Sequence, residues 1–312
     1  FKFSHDPINI NLVLENKLLY PFAKSVLEVE APDLVHVGHP MRVHEFIWAS
    51  KDLGIPYIIT LTDFFLLCPK VNLTPDKYSL CSGPNGGKAC ADLCQEFNPL
   101  FISKHLDDAV ILLKSAKHIT APSKFVMRIF KKEFPDLSIQ VIPHGIRYHH
   151  IRNNDRIYDK DSKITFGYLG NLIYHKGVHV LLSAFNRIKT QNTLLKIYGF
   201  GQQGFIEKLK KIPNNDKRVK FQGLFAAEKL GDVLGGIDVL INPAISYETY
   251  SFTLHEALAC NVPVIASNLG VMGEEIIEYF NGFTFSPGDY NDLALKMETL
   301  INNPVILNGL NQ

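Results

Sequence analysis

The sequence predicts an α/β protein built from two Rossmann-like, doubly wound domains. Three observations lead there. Short apolar runs rich in Val, Ile and Phe recur without polar alternation, as expected of parallel strands buried on both faces. Each run is followed by a segment with helical spacing, the β-then-α alternation that builds a parallel sheet. The alternation stops once, in a polar and aperiodic stretch from Arg147 to Lys163, and then begins again. That places a first domain over 1–146, a linker over 147–163 and a second domain over 164–312, and 312 residues suffice for two domains of ordinary size.

The elements follow in order. Leu12, Leu19, Phe22, Ala23, Val26 and Leu27 give Asn11–Val29 helical spacing, with Pro21 read as a break. Ala31–Val37 is a turn feeding a buried strand. A helix over about Met41–Asp52 ends at Gly54, and Ile55–Leu61 is the next strand. Residues 101–117 are helical, Ala116–Ala121 is a short strand, Lys124–Glu133 a helix and Ile139–Ile142 a strand. In the second domain the strands are Ile164–Leu169, Leu194–Tyr198 and Val219–Phe221, with helices over Gly177–Lys189, Gly204–Lys211 and Ala226–Leu234. The run Val239–Ile241, a helix over about Ser251–Ala259 and the run Val264–Ala266 come next, then helices over about Glu274–Tyr279 and Tyr290–Ile301.

Composition narrows the function. A 46% hydrophobic content with 20% charged residues describes a globular protein with real cores, and a net charge of +1 excludes a general nucleic-acid binder. No apolar run approaches a membrane span. Five cysteines, four of them clustered, suit a metal or a local redox site better than a secreted disulfide framework, so a cytoplasmic location is expected. The segment Lys124–Lys132 reads as a basic amphipathic helix: a plain surface helix, or a peripheral contact with the inner membrane face.

Chemistry concentrates in Asp238–Ser267. A strand enters a loop holding Pro243 and Glu248, and a helix follows that carries Glu256. The turn at Ser251, Phe252 and Thr253 offers unpaired backbone N–H groups at the positive end of a helix, a ready site for phosphate. A phosphate between two carboxylates that accept hydroxyl hydrogen bonds describes a nucleotide-sugar site. The plain alternative is a glutamate pair on a solvated helix. Two further segments bear on it. Gly167-Tyr168-Leu169-Gly170-Asn171 and Lys176-Gly177 end a strand in a small-residue turn and place an ammonium before a helix. Tyr198-Gly199-Phe200-Gly201 ends another strand with two glycines, which let backbone approach a ligand or simply make an ordinary turn.

The order Pro243, Glu248, Glu256-Ala257, Ala259 and Pro263 to Ser267 resembles the donor-site signature of the retaining glycosyltransferases of the GT-B fold, family 4. The resemblance extends over most of the chain. It implies two Rossmann-like domains facing across a cleft and transfer of a sugar from a nucleoside-diphosphate donor to a glycan or lipid-linked acceptor. Lys176 is similar to the family's donor lysine, but the arginine expected five residues earlier is Asn171, which removes one phosphate clamp. Gly170, Asn171, Lys176, Gly199, Gly201, Ser251, Phe252, Thr253 and Glu256 are the implied donor contacts, Glu256 on the ribose hydroxyls. Phe221–Leu224 is the implied base edge, and Glu248 faces the transferred sugar. The family's Gly-Phe-Gly after the first glutamate is Thr249-Tyr250-Ser251 here. His255 reads as a packing residue, and His144 replaces an asparagine common before the hinge glycine.

The expected reaction departs through an oxocarbenium-like transition state, so positive charge on the leaving phosphate matters more than a protein nucleophile, and no cofactor is required. On the acceptor side His36, His39, Thr62 and Asp63 lie at strand ends, where open α/β sheets bind ligands. Asp63 reads equally as a hydroxyl contact and as a cap of the next segment. Cys68, Cys81, Cys90 and Cys94 share a long irregular loop, compatible with a structural zinc, with reduced thiols or disulfides, or with an iron–sulfur cluster. No glycine-rich loop of the kind typical of the family precedes Phe1, and the sequence is expected to stop short of the helix with which members often return to the first domain, so a chain trimmed at both ends is expected. A GT-B epimerase or phosphorylase, and a non-catalytic nucleotide- or glycan-binding relative, remain the other readings. A Rossmann dehydrogenase is disfavoured, since no Gly-x-Gly-x-x-Gly with a downstream acidic residue follows a first strand.

Overall fold

Why the sequence makes two parallel sheets is visible in its runs of Val, Ile and Phe. The computed structural model describes residues 18–41, 43–76, 79–146 and 156–310. The chain divides into two compact units, 1–144 and 145–312.

In the first unit, α1 (Tyr20–Glu30) precedes β1 (Val35–Val37), α2 (His44–Asp52) and β2 (Tyr57–Thr60). After a long irregular loop come α3 (Lys88–Leu93), α4 (Pro99–Ser115), β3 (His118–Ala121), α5 (Lys124–Glu133) and β4 (Ile139–Val141). The strands pair in parallel in the order β1-β2-β3-β4. Pro21 does not break α1, as the spacing suggested. It sits in the first turn, where its missing N–H has no helical partner to lose. The part of that expected helix before residue 18 lies outside the described residues. The helix α5 spans the residues expected of it because Ser123 caps Val126 N at 3.3 Å. Phe125, Val126 and Phe130 are buried, and Phe64 packs on Phe130 and Phe125 with centroids 6.4 and 6.2 Å apart. The apolar face of this amphipathic helix is therefore used by the unit's own core, while Lys124, Arg128, Lys131 and Lys132 face outward.

The second unit runs β5 (Ile164–Leu169), a 3-10 turn Tyr174–Lys176, α6 (Val178–Phe185), β6 (Thr193–Tyr198), α7 (Gln203–Lys211) and β7 (Val219–Gly223). A 3-10 turn Ala227–Lys229 leads to α8 (Leu230–Gly235), followed by β8 (Val239–Asn242), α9 (Phe252–Ala259) and β9 (Val264–Ser267). Then come α10 (Val271–Glu275), β10 (Gly282–Phe285) and α11 (Tyr290–Asn302). The sheet is parallel in the order β10-β9-β8-β5-β6-β7. From β5 the chain builds outward through β6 and β7, then returns to β5's other side with β8. The strand order thus reverses between β5 and β8, the place where an open α/β sheet leaves a crevice at its carboxyl ends.

Three expectations shift. The helix expected over Glu274–Tyr279 ends at Glu275, because the Asn281 side chain accepts from Ile277 N at 2.7 Å and donates to Glu275 O at 2.9 Å, turning the chain. The helix expected from Gly177 starts at Val178, since Gly177 has φ +71°. The stretch read as a linker falls partly outside the described residues, and its later portion belongs to the second unit. Tyr158 joins the second unit's core, and Asp238, fully buried, accepts from Arg156, from Tyr158 Oη at 2.8 Å and from Thr165 N at 2.7 Å. No helix among the described residues is long and apolar enough to cross a membrane.

Candidate functional site

The loops at the carboxyl ends of β5, β6, β7 and β8 are laced to one another by backbone hydrogen bonds. Gly170 N donates to Tyr198 O at 3.1 Å, Leu172 N to Phe200 O at 2.7 Å and Gly199 N to Gly223 O at 2.8 Å. Ile245 N donates to His175 O at 2.9 Å. Glycine permits this closeness. A Cβ on Gly199 (φ +136°) would stand 1.8 Å from Gly170 O, and one on Gly177 1.8 Å from Pro243 O. A Cβ on Gly201 would stand 2.1 Å from Leu172 O. The approach these glycines permit here is therefore loop to loop. Tyr168, buried, donates to Asn171 O at 2.8 Å and so fixes the turn that carries Asn171, which itself is exposed.

This lacing brings together residues far apart in sequence. Lys176, at the end of its 3-10 turn, donates to Glu248 Oε1 at 2.5 Å, joining the β5 and β8 loops across the switch point. Tyr168 and His175 both feel Glu248. Burial, then Glu248, push the Tyr168 phenol up, and burial, then Lys176, push His175 down against a smaller opposing pull from Glu248. Lys176 and Glu248 are thus partners, and neither is simply solvated.

The N-cap residue of α9 is Ser251, which has φ +62° and ψ +76° and makes no capping bond with its side chain. The N–H groups of Phe252 and Thr253 therefore receive no cap from Ser251. Asn242 Nδ2 donates to Ser251 Oγ at 2.8 Å, and His255 Nδ1 bonds Ser251 O at 3.0 Å while its ring lies 4.1 Å above Tyr250 at 6°. Further along α9, Glu256 is half-buried, and its carboxylate has no hydrogen-bond or ion-pair partner among the described residues. Burial pushes its pKa up, opposed by His255. Sequence reasoning passed over Asn242 and the His175 backbone. The one visible signal for Asn242 was a polar residue closing an otherwise apolar run.

In the first unit, Asp63 pairs with His39 and accepts from Phe65 N at 2.7 Å, so it does cap the segment after β2. His36 Nε2 is hydrogen-bonded to Thr60 Oγ1 at 2.8 Å, Thr60 to Thr120 at 2.8 Å, and Thr62 donates to Gly38 O. Cys68, Cys81, Cys90 and Cys94 all line one small cavity together with Lys70, and all four are free thiols. Burial pushes Cys68, Cys90 and Cys94 up, Cys90 to about 12. Four soft donors suit zinc chemically, but among the described residues no group of three or more His, Cys, Asp or Glu fits a metal ion. A zinc site on these cysteines is therefore not shown, and no step is assigned to one.

The family model "Glycosyl transferases group 1" matches residues 151–311. The chain belongs to the group 1 glycosyl transferases. Among curated proteins it is similar to an uncharacterised glycosyltransferase of Methanocaldococcus jannaschii, 27% identical over 66% of this chain and 59% of that one. It is also similar to glycogen synthase of Mycobacterium tuberculosis, 29% identical over 44% of this chain and 34% of that one. The chain thus spans roughly a third to three fifths of the length of these relatives. Among solved structures, Anabaena HepE in complex with UDP superposes with a TM-score of 0.72 at 19% identity, over 93% of this chain and 74% of that one. Sucrose-phosphate synthase of Thermosynechococcus elongatus gives 0.70 at 18% identity, over 94% and 72%. The group 1 fold expected from the sequence, GT-B with two Rossmann-like units, is borne out by this likeness.

Proposed function

We propose that this group 1 glycosyltransferase moves a sugar, with retention at the anomeric carbon, from a nucleoside-diphosphate donor to a glycan or lipid-linked acceptor. The observation that carries the reading is α9: a helix whose N-cap serine makes no side-chain cap, bearing on its second turn a half-buried glutamate whose pKa burial pushes up. A helix N-terminus attracts a diphosphate, and a half-buried carboxylate attracts a pair of ribose hydroxyls.

In this reading Phe252 and Thr253 N–H groups hold the diphosphate and Glu256 accepts from the ribose. Lys176 is paired with Glu248 before donor arrives. A diphosphate competes for that ammonium, and Glu248, once released, turns to the hydroxyls of the transferred sugar. As the anomeric bond breaks, negative charge grows on the leaving phosphate, and Lys176 with the helix end stabilises it where it develops. The leaving phosphate then accepts the acceptor's proton on the face it vacates, which retains configuration. Gly170, Asn171, Gly199 and Gly201 shape the floor beneath the donor, and Asp63 contacts an acceptor hydroxyl in the first unit. If the acceptor is lipid-linked, the outward basic face of α5 is the natural peripheral contact with an anionic inner membrane face.

HepE structures hold UDP and UDP-glucose, so these are the first ligands to try. With full-length protein, Lys176→Ala is expected to cut transfer or donor hydrolysis about 100-fold or more, with UDP affinity reduced less. Glu256→Ala should mainly raise the donor KM. Product stereochemistry read by proton NMR decides retention. Wild-type protein that binds no nucleoside diphosphate in titration calorimetry would overturn the reading.

A further inference from the structure

We propose that His39 is an acceptor-binding residue of the first unit: its Nε2 accepts a hydrogen bond from an acceptor hydroxyl, and Asp63 is the positioning residue that keeps that nitrogen bare. The proposal rests on the reading of the chain as a transferase with a hydroxyl-bearing acceptor, and it adds a contact beside Asp63.

Two histidines stand at the carboxyl end of β1, and the fold uses them in opposite ways. His36 gives Nε2 to Thr60 Oγ1 at 2.8 Å and so joins β1 to β2. His39 gives Nδ1 to Asp63 Oδ2. Among the described residues the fold engages this ring through Nδ1 alone, and its side chain is 47% exposed against 17% for Asp63. A carboxylate oxygen only accepts, so the nitrogen facing it carries the hydrogen. A neutral imidazole has one such hydrogen, and with Nδ1 holding it Nε2 keeps its lone pair. The pair thus offers a hydrogen-bond acceptor at strand ends, where open α/β sheets take ligands.

The ring is held in place before any ligand comes. Thr62 donates to Gly38 O, tying down the residue before His39. Pro40, buried, follows it and confines the His39 backbone to extended conformations. Asp63 is itself fixed, because its Oδ1 accepts from Phe65 N at 2.7 Å. The loops after β1 and β2 are already braced by the Thr62 bond, so bracing alone does not account for a half-exposed ring. In the proposed transfer the leaving phosphate takes the proton of the attacking hydroxyl. His39 therefore takes no proton and holds another hydroxyl of the same acceptor, a polyol such as a sugar.

The test uses full-length protein with isotope-labelled histidines. NMR reads the His39 ring, at a pH where it is neutral, while UDP-glucose or the methyl α-glycosides of glucose, galactose and mannose are added. Wild type is expected to show the Nδ1–H tautomer, and at least one glycoside should shift Nε2 saturably. Asp63→Asn keeps an oxygen for Phe65 N but turns an amide N–H toward Nδ1. Its ring should change to the Nε2–H tautomer and lose the shift.

Two amide side chains then separate binding from bracing. Asparagine replaces Nδ1–H toward Asp63 but has nothing at the Nε2 position, which glutamine reaches. Read from the glycoside's own signals with UDP present, His39→Asn and Asp63→Asn should each raise its Kd about fivefold to tenfold. His39→Gln should recover most of that loss, and UDP affinity should stay within about twofold throughout. A bracing role predicts the reverse, asparagine like wild type and glutamine destabilised, and that pattern overturns the proposal. So does a wild-type ring protonated at Nε2, or an Nε2 signal that no glycoside moves, including one that only UDP-glucose moves. If glycosides move it while wild type binds no nucleoside diphosphate, the hydroxyl site stands and the donor reading falls.

Discussion

The two units tie the carboxyl ends of their strands together by different means. In the second unit, beside the Lys176–Glu248 pair, the ties among β5, β6 and β7 are backbone to backbone, Gly170 to Tyr198, Leu172 to Phe200 and Gly199 to Gly223, and they work because glycines let main chains touch. In the first unit they are made by hydroxyls and imidazoles: Thr60 with Thr120 and His36, Thr62 with Gly38, His39 with Asp63, and His105 with Phe65 O at 2.7 Å. A backbone tie tolerates pH and fails on addition of a methyl group. A side-chain tie tolerates small changes in volume and answers to protons. The two units should therefore break under opposite insults.

The largest effect is expected at Gly199. Its alanine variant puts a Cβ against Gly170 O in a backbone conformation hostile to side chains, and should cost the second unit more than about 3 kcal/mol, read by urea unfolding. An alanine variant with unchanged midpoint would mean that these loops slide apart freely.

Acid should find the first unit. Burial, opposed by the bond to Phe65, holds His105 down at about 4 against an ordinary 6.5, with His44 adding to the depression. Above 6.5 the ring is neutral folded or unfolded. As pH falls from there toward 4, only the unfolded chain takes up the proton, so stability drains away, on the order of 3 kcal/mol by the lower end. Denaturation of His105→Gln between pH 7 and pH 4 should be flatter than that of wild type. Parallel curves would assign the acid loss to other groups.

The smallest effect has the opposite sign and lies in the second unit. Burial raises the Glu256 pKa, so ionising it costs folding free energy that vanishes once the group is protonated. Glu256→Gln should match wild type in acid, below the ordinary carboxylate range, and melt slightly higher at neutral pH, by about 1–2 °C, while losing donor affinity. A variant destabilised at neutral pH would show that the carboxylate has a partner inside the fold.

The same contrast explains what the sequence could disclose. Strand runs and helix α5 were legible because burial on both faces and a capping serine leave local marks. The stretch Asp238–Ser267 was legible because strand, loop, helix and strand follow without interruption. Lys176 and Glu248 were legible as residues, but not as a pair, since 72 positions separate them and only the strand-order reversal brings them together. Gly199 and Gly201 could be read as open to a ligand because sequence does not say which backbone comes close. The early end of α10 was hidden in the Asn281 side chain, and Pro21 looked like a break because spacing alone does not show that it stands in the first turn of a helix. The four cysteines disclosed their proximity but not their chemistry, which depends on distances no spacing encodes.

One bond set also fixes where this protein can be divided. Asp238 is a sealed anion between β5 and β8, and two of its three donors, Arg156 and Tyr158, arrive on chain that precedes the sheet. Cutting after Tyr158 would strand that charge without its counterion, a wound deep enough to unmake the half it was meant to isolate. A free-standing second half has to begin ahead of Arg156.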